Sequence, residues 1–327
     1  MAWPRSESCD NERCYDTGRR DMSPPKISVI VAAYRAVATL DAALQSVVTQ
    51  SLSDWECLIV DDASDDGTFE RACEWEGKDR RFRVLRTAAN GGPALARNLG
   101  LQAARGEWIT VLDADDAFEI DRLITLLRCA ESLAVDIAFD NQWLLDSRGL
   151  RHRWLNLDDG ALRRYGLTRF LYQVCGFSPQ HWGVAQPLFR RSLLETLSLR
   201  YDPELRFGED VLLMAQIIMY TKSFGVCGYS GYVYRLPEQN RLHLSLAESD
   251  AATLSTRKMI NALQTSVGRT ERALLQLRLM HFELADWRSE LSRSIRQKHY
   301  RSAILAVIGT PRSWLWLALN ACRKFLP

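Results

Sequence analysis

Long apolar runs are missing from this chain. No uninterrupted stretch approaches the ~18 to 20 residues that a membrane-spanning helix needs, so a bilayer-crossing protein is excluded. Paired cysteine motifs are missing as well. The eight cysteines (Cys9, Cys14, Cys57, Cys73, Cys129, Cys175, Cys227 and Cys322) contain no C-x-x-C spacing, which removes support for a zinc cluster or a thioredoxin-type site. No signal peptide precedes them, so reduced thiols in a cytosolic compartment are expected. Excess charge of one sign is also absent: 42 Lys and Arg against 40 Asp and Glu leave a net charge of +2, and nothing in that balance calls for a nucleic-acid partner. There is no internal repeat and no low-complexity tract. What remains is ordinary for a soluble globular protein, with 47% hydrophobic and 25% charged residues in 327 positions, enough for one large domain or a domain with an appended module. The first 22 residues are polar and aperiodic; they read as a disordered extension, with Met22 as an alternative chain start.

The next stretch alternates between two periods. Ile27 to Ala32, Trp55 to Val60, Arg81 to Arg86 and Glu107 to Leu112 are short, continuous apolar or β-rich runs. Between them lie Val37 to Gln50 with helical spacing, a helix opened by Asp66-Gly67-Thr68, and one opened by Gly92-Pro93. This β-α-β-α-β-α-β order predicts an α/β fold with a mostly parallel sheet and helices on both faces. After Asp121 the spacing predicts a helix to about Ser132 and a strand at Val135 to Phe139. Residues 140 to 187 read as irregular and aromatic. A helix from Glu209 covers Val211 to Tyr220, two short strands follow near Phe224 to Cys227 and Tyr232 to Tyr234, and the chain is helical from Ala247 onward.

Ligands of such sheets bind outside the carboxyl ends of the strands. Ala33-Tyr34-Arg35, Asp61-Asp62-Ala63-Ser64 and Asp113-Ala114-Asp115-Asp116 all fall there, predicting one crevice lined by the three. Asp113 and Asp115 are two apart, so on a strand they face the same way. Their mutual repulsion is relieved by a divalent cation shared with a diphosphate, and hard carboxylate oxygens suit Mg²⁺ or Mn²⁺. Asp61 and Asp62 only accept hydrogen bonds, which suits the N3–H of uracil or the N1–H and amino group of guanine; UDP and GDP both fit. Asp65 and Asp66 read as turn and capping residues. Gly91-Gly92-Pro93 starts a helix but is not G-x-G-x-x-G, so a dinucleotide site has little support. Arg97, on that helix, reaches either the nucleotide or the acidic residues Asp113 and Asp61. In Gly208-Glu209-Asp210 a carboxylate is stabilised by a helix start, or serves as a general base for an acceptor hydroxyl.

Taken together, the strings Ile-Ser-Val-Ile-Val-Ala-Ala-Tyr, Val-Asp-Asp-Ala-Ser-Asp-Asp-Gly-Thr, Ala-Arg-Asn-Leu-Gly, Leu-Asp-Ala-Asp-Asp and Gly-Glu-Asp resemble, in this order and spacing, the inverting family 2 glycosyltransferases with the GT-A fold. The resemblance runs from Ile27 to about Pro237, roughly two thirds of the chain. It implies a metal-dependent inverting hexosyltransferase with a nucleotide-sugar site at Ala33, Tyr34, Asp61, Asp62, Gly92, Arg97, Asp113 and Ala114. It further implies base contact by Asp61 or Asp62, Asp113 on the ribose side, Asp115 on Mn²⁺ or Mg²⁺, and Asp210 as catalytic base beside Glu209. Position 32 is Ala where some relatives carry a hydroxyl. No Gln-x-x-Arg-Trp motif follows Asp210, so addition of a single sugar is expected rather than processive synthesis.

The resemblance sets the expected reaction as transfer of a hexose, first of all glucose from UDP-glucose, to a hydroxyl of a growing bacterial surface polysaccharide. A polyprenyl-diphosphate-linked glycan is the candidate acceptor. The expected organisation is a GT-A catalytic domain over residues 23–240, with a nucleotide-binding half at 23–116 and an acceptor half at 117–240, then a helical region at 241–327. Trp314, Trp316, Arg323, Lys324 and Phe325 make residues 311–327 a candidate interfacial anchor, placing a cytoplasmic protein on the inner face of the membrane. His243 follows Tyr234-Arg235, where some GT-A enzymes carry an extra metal or phosphate contact; a packing role is the plainer reading, and His152 and His181 have no assigned role. The rival class is a non-catalytic nucleotide-sugar-binding or assembly protein that keeps the fold.

Overall fold

Continuous apolar runs need cover on both faces, and three of them lie side by side, with the alternating run Phe82 to Arg86 at their edge, in the computed structural model, which describes residues 23–174, 186–236, 246–263 and 266–279. Strands β1 (Ile27–Ala33), β2 (Trp55–Asp61), β3 (Phe82–Arg86) and β4 (Trp108–Asp113) pair in parallel in the order β3-β2-β1-β4. Every residue of β2 is buried. Their crossovers are α1 (Leu40–Val48), α2 (Thr68–Lys78) and α3 (Pro93–Ala103). Helix α1 begins later than the apolar spacing suggested, because Thr39 and Leu40 both donate backbone bonds to the Ala36 carbonyl and close a turn first. Pro93 takes the first turn of α3, where its missing N–H costs nothing.

The sheet continues past β4. It adds β5 (Ala117–Phe118), β6 (Ile137–Leu145), β7 (Arg151–Arg153), β8 (Leu162–Tyr165), β9 (Leu188–Arg190) and β10 (Phe224–Arg235), giving the order β3-β2-β1-β4-β9-β6-β10-β5 with β7 on β6 and β8 on β10. Strand β9 is antiparallel to both β4 and β6, while β6 and β10 are parallel, so the extended sheet is mixed beyond its parallel first half. Helix α4 (Arg122–Ser132) packs on β6 and β10; α6 (Arg191–Thr196) and α7 (Glu209–Thr221) complete this part.

Two expectations are corrected here. Residues 140 to 187 are not simply irregular: β6 runs on to Leu145, and β7, β8 and α5 (Leu167–Val174) follow. The polar run Asp140-Asn141-Gln142 hid the strand, because its side chains are buried with partners. Asp140 accepts from Arg122 Nε at 2.9 Å, and Asn141 exchanges bonds with the Leu155 backbone at 2.7 and 2.9 Å. The two short strands near Phe224 and Tyr232 are one strand, with register shifts between Val226 and Tyr232 that accommodate Gly228 and Gly231.

The described residues form two compact units. The first holds 23–167 and 186–236; the second holds 168–174, 246–263 and 266–279. In the second, α8 (Leu246–Leu263) and the helical residues 269–279 accompany α5. Arg278 is buried there, donating to Thr256 Oγ1 at 3.1 Å and to the Val174 carbonyl. From Ala247 the described chain is helical over 247–263 and 269–279, with a turn at 266–268 between them. No helix among the described residues is long and apolar enough to cross a membrane. The expectations for residues 1–22, His181, His243 and 311–327 fall outside the described residues.

Candidate functional site

Register brings the three acidic and polar strand ends together. In β1, Ala33 lies opposite Asp61 of β2, and Ala32 lies opposite Asp113 of β4. The crevice therefore opens at the carboxyl ends of β1, β2 and β4, where the strand order turns from β3-β2-β1 to β4. A separate cleft of about 370 Å³ sits at the opposite strand ends, where Arg81 pairs with Asp79, and Arg83 and Arg105 pair with Glu56.

Asp61 and Asp62 diverge at once. Asp62 is saturated: Oδ1 accepts from Thr87 Oγ1 at 2.8 Å and Gly91 N at 3.0 Å, and Oδ2 accepts from Gly92 N at 2.7 Å. It fixes the turn that leads into α3, where Gly92 has φ +86° and a Cβ would run into the Arg206 guanidinium. Asp61 is fully buried. Its Oδ2 accepts from Ser64 N at 3.2 Å and pairs with Arg86 Nε at 3.1 Å, and its Oδ1 is enclosed with no partner among the described residues. Burial pushes its carboxyl above the ordinary range, against the pull of Ser64 and Arg86. Arg86 is fixed in turn by the Ser64 carbonyl at 2.9 Å and by stacking 4.4 Å from the Phe69 ring. Its place opposite Asp61 in the β2–β3 register was a cue that the sequence carried.

The flanking polar residues shape the rim. Asp65 holds Arg35 in a two-point contact at 2.7 and 2.8 Å, and Asp66 Oδ1 accepts from Thr68 N at 3.1 Å and Thr68 Oγ1 at 2.6 Å. Ala33 is buried, and its carbonyl accepts the Asp62 N–H at 2.8 Å. Tyr34 is exposed beside it, and Arg35 stands over the Tyr34 ring at 5.4 Å with φ +49°.

At the end of β4 the acidic residues also divide by task. Asp113 Oδ1 accepts from Arg97 Nη2 at 2.7 Å, and Oδ2 accepts from Gln186 Nε2 at 3.2 Å. Gln186 lies seventy-three residues away in sequence, and no spacing signal pointed to it. Ala114 is buried. Asp116 is buried too; it accepts from Tyr232 OH at 2.7 Å and Arg235 N at 2.9 Å, and burial followed by the Asp113 charge pushes it up to about 8. Tyr232 OH also accepts the Asp113 N–H at 3.3 Å. Asp115 is left at the mouth, exposed, with its pKa held up by the crowding protein and by Asp113. Tyr234, pushed up to about 12 by burial and then Asp116, faces the same cluster.

Among the described residues, no three His, Cys, Asp or Glu side chains converge as a metal cage. A cage is not what a diphosphate-bridging cation requires. Mg²⁺ and Mn²⁺ are held through one or two carboxylates, with substrate phosphates and water completing the shell. One open carboxylate at Asp115, beside an Asp113 already pinned by Arg97 and Gln186, fits that use.

Helix α7 brings the last pair. Gly208, with φ +75°, turns the chain into the helix, and Glu209 and Asp210 occupy its first turn. Glu209 is buried and accepts from Arg97 Nη1 at 2.7 Å. Asp210 gives one oxygen to Val211 N at 2.7 Å. Burial raises the Asp210 carboxyl, Glu209 adds to the rise, and Arg97 opposes it. Arg97 itself is buried; desolvation works against its charge, and Asp113, Tyr201 and Glu209 outweigh it, so it stays cationic. The site thus combines a carboxylate with a raised proton affinity, an open metal-suited carboxylate and a buried acceptor without a donor.

A sequence model described as Glycosyl transferase family 2 matches residues 28–196. The succinoglycan biosynthesis protein ExoO of Rhizobium meliloti (strain 1021) is 36% identical over 217 residues, which is 65% of this chain and 62% of that protein, so the chain spans about three fifths of its length. Among solved structures, S. aureus TarS 1-349 in complex with UDP-GlcNAc superposes with a TM-score of 0.62 at 20% identity over 86% of this chain and 79% of that one. The mannosyltransferase PcManGT from Pyrobaculum calidifontis, in complex with GDP-Man and Mn²⁺, gives 0.56 at 17% over 93% and 81%. These likenesses show the GT-A fold. With half the chain matched by the family model and the strand-end carboxylates in one crevice, this chain belongs to glycosyl transferase family 2.

Proposed function

We propose that this protein transfers one hexose, with inversion, from a UDP-sugar to a hydroxyl of a growing bacterial surface polysaccharide. The observation that carries the reading is the contrast within the Glu209-Asp210 pair. Glu209 is committed to Arg97 at 2.7 Å, while Asp210 keeps an oxygen beyond its single backbone bond and holds protons more tightly than an ordinary carboxyl. In the reaction Asp210 takes the proton from the acceptor hydroxyl as its oxygen bonds to the anomeric carbon. The bond from that carbon to the diphosphate breaks on the opposite face, and UDP departs with the electron pair. One displacement inverts the configuration. A divalent cation held by Asp115 would neutralise the leaving diphosphate.

Asp61 supports uracil over guanine. Arg86 and Ser64 occupy Oδ2, so only Oδ1 is left to receive a donor. Uracil offers a single N3–H, whereas guanine offers N1–H and an amino group that together match a carboxylate with two open oxygens. A base reaching Oδ1 displaces the side chains that enclose it. The polysaccharide setting rests on the relative named for succinoglycan biosynthesis. Glucose as the sugar, a polyprenyl-diphosphate-linked acceptor and a station on the inner membrane face belong to the same proposal.

The test is turnover of a panel of UDP- and GDP-hexoses by the purified chain with Mn²⁺ or Mg²⁺. A UDP-hexose, UDP-glucose first, is expected to react. Asp210→Asn is expected to lose about 10²- to 10⁴-fold in kcat with UDP binding retained, and Asp115→Ala to lose its response to metal. Binding of UDP-sugars by the wild type with no turnover of any of them would mean a binding protein rather than an enzyme, full turnover in both variants would overturn the roles given to Asp210 and Asp115, and preference for a GDP-sugar would overturn the reading of Asp61.

A further inference from the structure

Arg97 connects the donor side of the crevice to the base side. It rises from α3, and its two terminal nitrogens go to different elements: Nη2 to Asp113 Oδ1 at the end of β4, and Nη1 to Glu209 Oε1 at the start of α7, each at 2.7 Å. Its side chain and that of Glu209 are each 7% exposed. The Tyr201 ring centroid lies 5.5 Å from the guanidinium carbon, and Nε is enclosed without a partner among the described residues. The loop carrying Tyr201 is itself held to α3, since Asn98 exchanges bonds with the Tyr201 backbone at 2.8 and 2.9 Å. A buried guanidinium already engaged at both ends is poorly placed to hold a diphosphate.

The charged groups that act most strongly on Asp210 are Glu209 on its own helix, Arg97 from α3 and Asp113 from β4, and Asp210 acts in turn on Tyr201 of the preceding loop. Arg97 is the cation among them. Without it, three carboxylates confront one another with little solvent between them, and like charges in such surroundings repel strongly.

We propose that Arg97 is a positioning residue that holds Glu209 out of the reaction and sets the charge balance under which Asp210 serves as the base. The proposal rests on the assignment of Asp210 as base. It makes the Arg97–Glu209 ion pair, rather than any contact with the nucleotide, the determinant of where activity fails on the acid side. A base with a raised pKa is protonated, and inactive, below that pKa. Removing a nearby cation raises the pKa further and moves the acid limb to higher pH; removing a nearby carboxylate charge moves it back.

The experiment is the pH dependence of kcat/KM for the wild type, Arg97→Gln, Arg97→Lys, Glu209→Gln and the double variant R97Q/E209Q, with Asp210→Asn measured alongside. In R97Q the acid limb is expected to rise by about one to three pH units, the size of shift that an adjacent opposite charge produces. R97Q/E209Q is expected to return most of the way. R97K should fall between, because a point charge does not span two carboxylates as a planar fork does. E209Q alone, which keeps the cation, should lower the limb. Thermal melts of the same set read the charge balance without turnover: at pH 8 the double variant should melt above R97Q. An unmoved acid limb in both R97Q and E209Q, or no gain in melting temperature from E209Q in the R97Q background, overturns the proposal. A rise confined to the KM for the UDP-sugar in R97Q would make Arg97 a nucleotide contact instead. Undiminished turnover in Asp210→Asn would remove the base assignment itself, a result separate from every outcome for Arg97.

Discussion

Asp62 uses both carboxylate oxygens to receive Thr87 Oγ1 and the Gly91 and Gly92 amides, while the next residue back leaves one oxygen empty. Both sit at the end of a buried strand in an acidic turn, so side-chain chemistry alone does not divide their tasks. The division comes from the end of β3 and the residue after it: Arg86, the last of the strand, faces Asp61, and Thr87 faces Asp62. Asp62→Ala should therefore act on the fold before it acts on the reaction. Three donors lose their acceptor; the Gly92 amide among them is buried, and a buried donor left unpaired costs about 1–3 kcal/mol. The expected result is a lower urea midpoint, with nucleotide affinity falling as the turn before α3 loosens. Asp61→Asn should disturb nucleotide binding with a smaller change in the midpoint, because its Oδ2 partners can still be met by an amide oxygen. Equal urea midpoints for Asp62→Ala and the wild type would show that the turn holds itself.

At the scale of elements, legibility followed the apolar pattern. Strands β1, β2 and β4 were readable because each is a nearly continuous buried run, β3 because Phe82 and Val84 alternate inward, and α3 because Pro93 and Gly92 mark its start. The crevice followed from the same alternation. Strand β6 was cut short because its buried polar residues find partners that only tertiary structure supplies, and β10 was split because Gly228 and Gly231 interrupt the pattern without ending the strand. Gln186 and the Arg97–Glu209 bond, the latter spanning 112 positions, leave no trace in local spacing. Packing between elements also separates two glycines that look alike in sequence. A Cβ at Gly100 of α3 would lie 2.5 Å from Ile30 Cγ2 in the core of β1, whereas one at Gly77 of α2 meets nothing within 4 Å. Gly100→Ala should destabilise by about 1–3 kcal/mol through overpacking. Gly77→Ala should stabilise by up to about 1 kcal/mol, as expected for replacing glycine at an exposed helical position. Paired denaturation curves check both, and equal midpoints for the two variants would mean that α3 moves off β1 to accept the methyl group.

For the whole molecule, a net charge of +2 conceals an acidic crevice in which several carboxyls are harder to ionise than usual. Asp61, Asp115, Asp140 and Asp210 are raised, and Asp116 is raised to about 8, in each case with burial as the leading cause. Such groups bind more protons in the folded state than in the unfolded chain, where an aspartate has a pKa of about 3.9. The stability they contribute is present at low pH and is lost as pH rises through their folded values, up to about 8 for Asp116. Other carboxyls work the opposite way. Asp41, Asp79 and Glu107 are lowered, chiefly by bonds from Arg71, Arg81 and Lys26, so their contribution holds above about pH 4 and disappears only in stronger acid. Between pH 8.5 and 6 Asp116, raised to about 8, and Asp210, raised to about 7, take up their protons in the folded state, so the metal-free protein should melt higher at pH 6, by on the order of 2–4 °C for each kcal/mol regained. A divalent cation with UDP binds the ionised form, so its added stabilisation should be greater at pH 8.5 than at pH 6. Thermal melts in chelator and in Mn²⁺ with UDP measure both halves of the prediction. A melting temperature in chelator that stays level or falls from pH 8.5 to 6 would show that the crevice carboxyls are ionised at little cost, and that their crowding around Arg97 is already balanced within the protein.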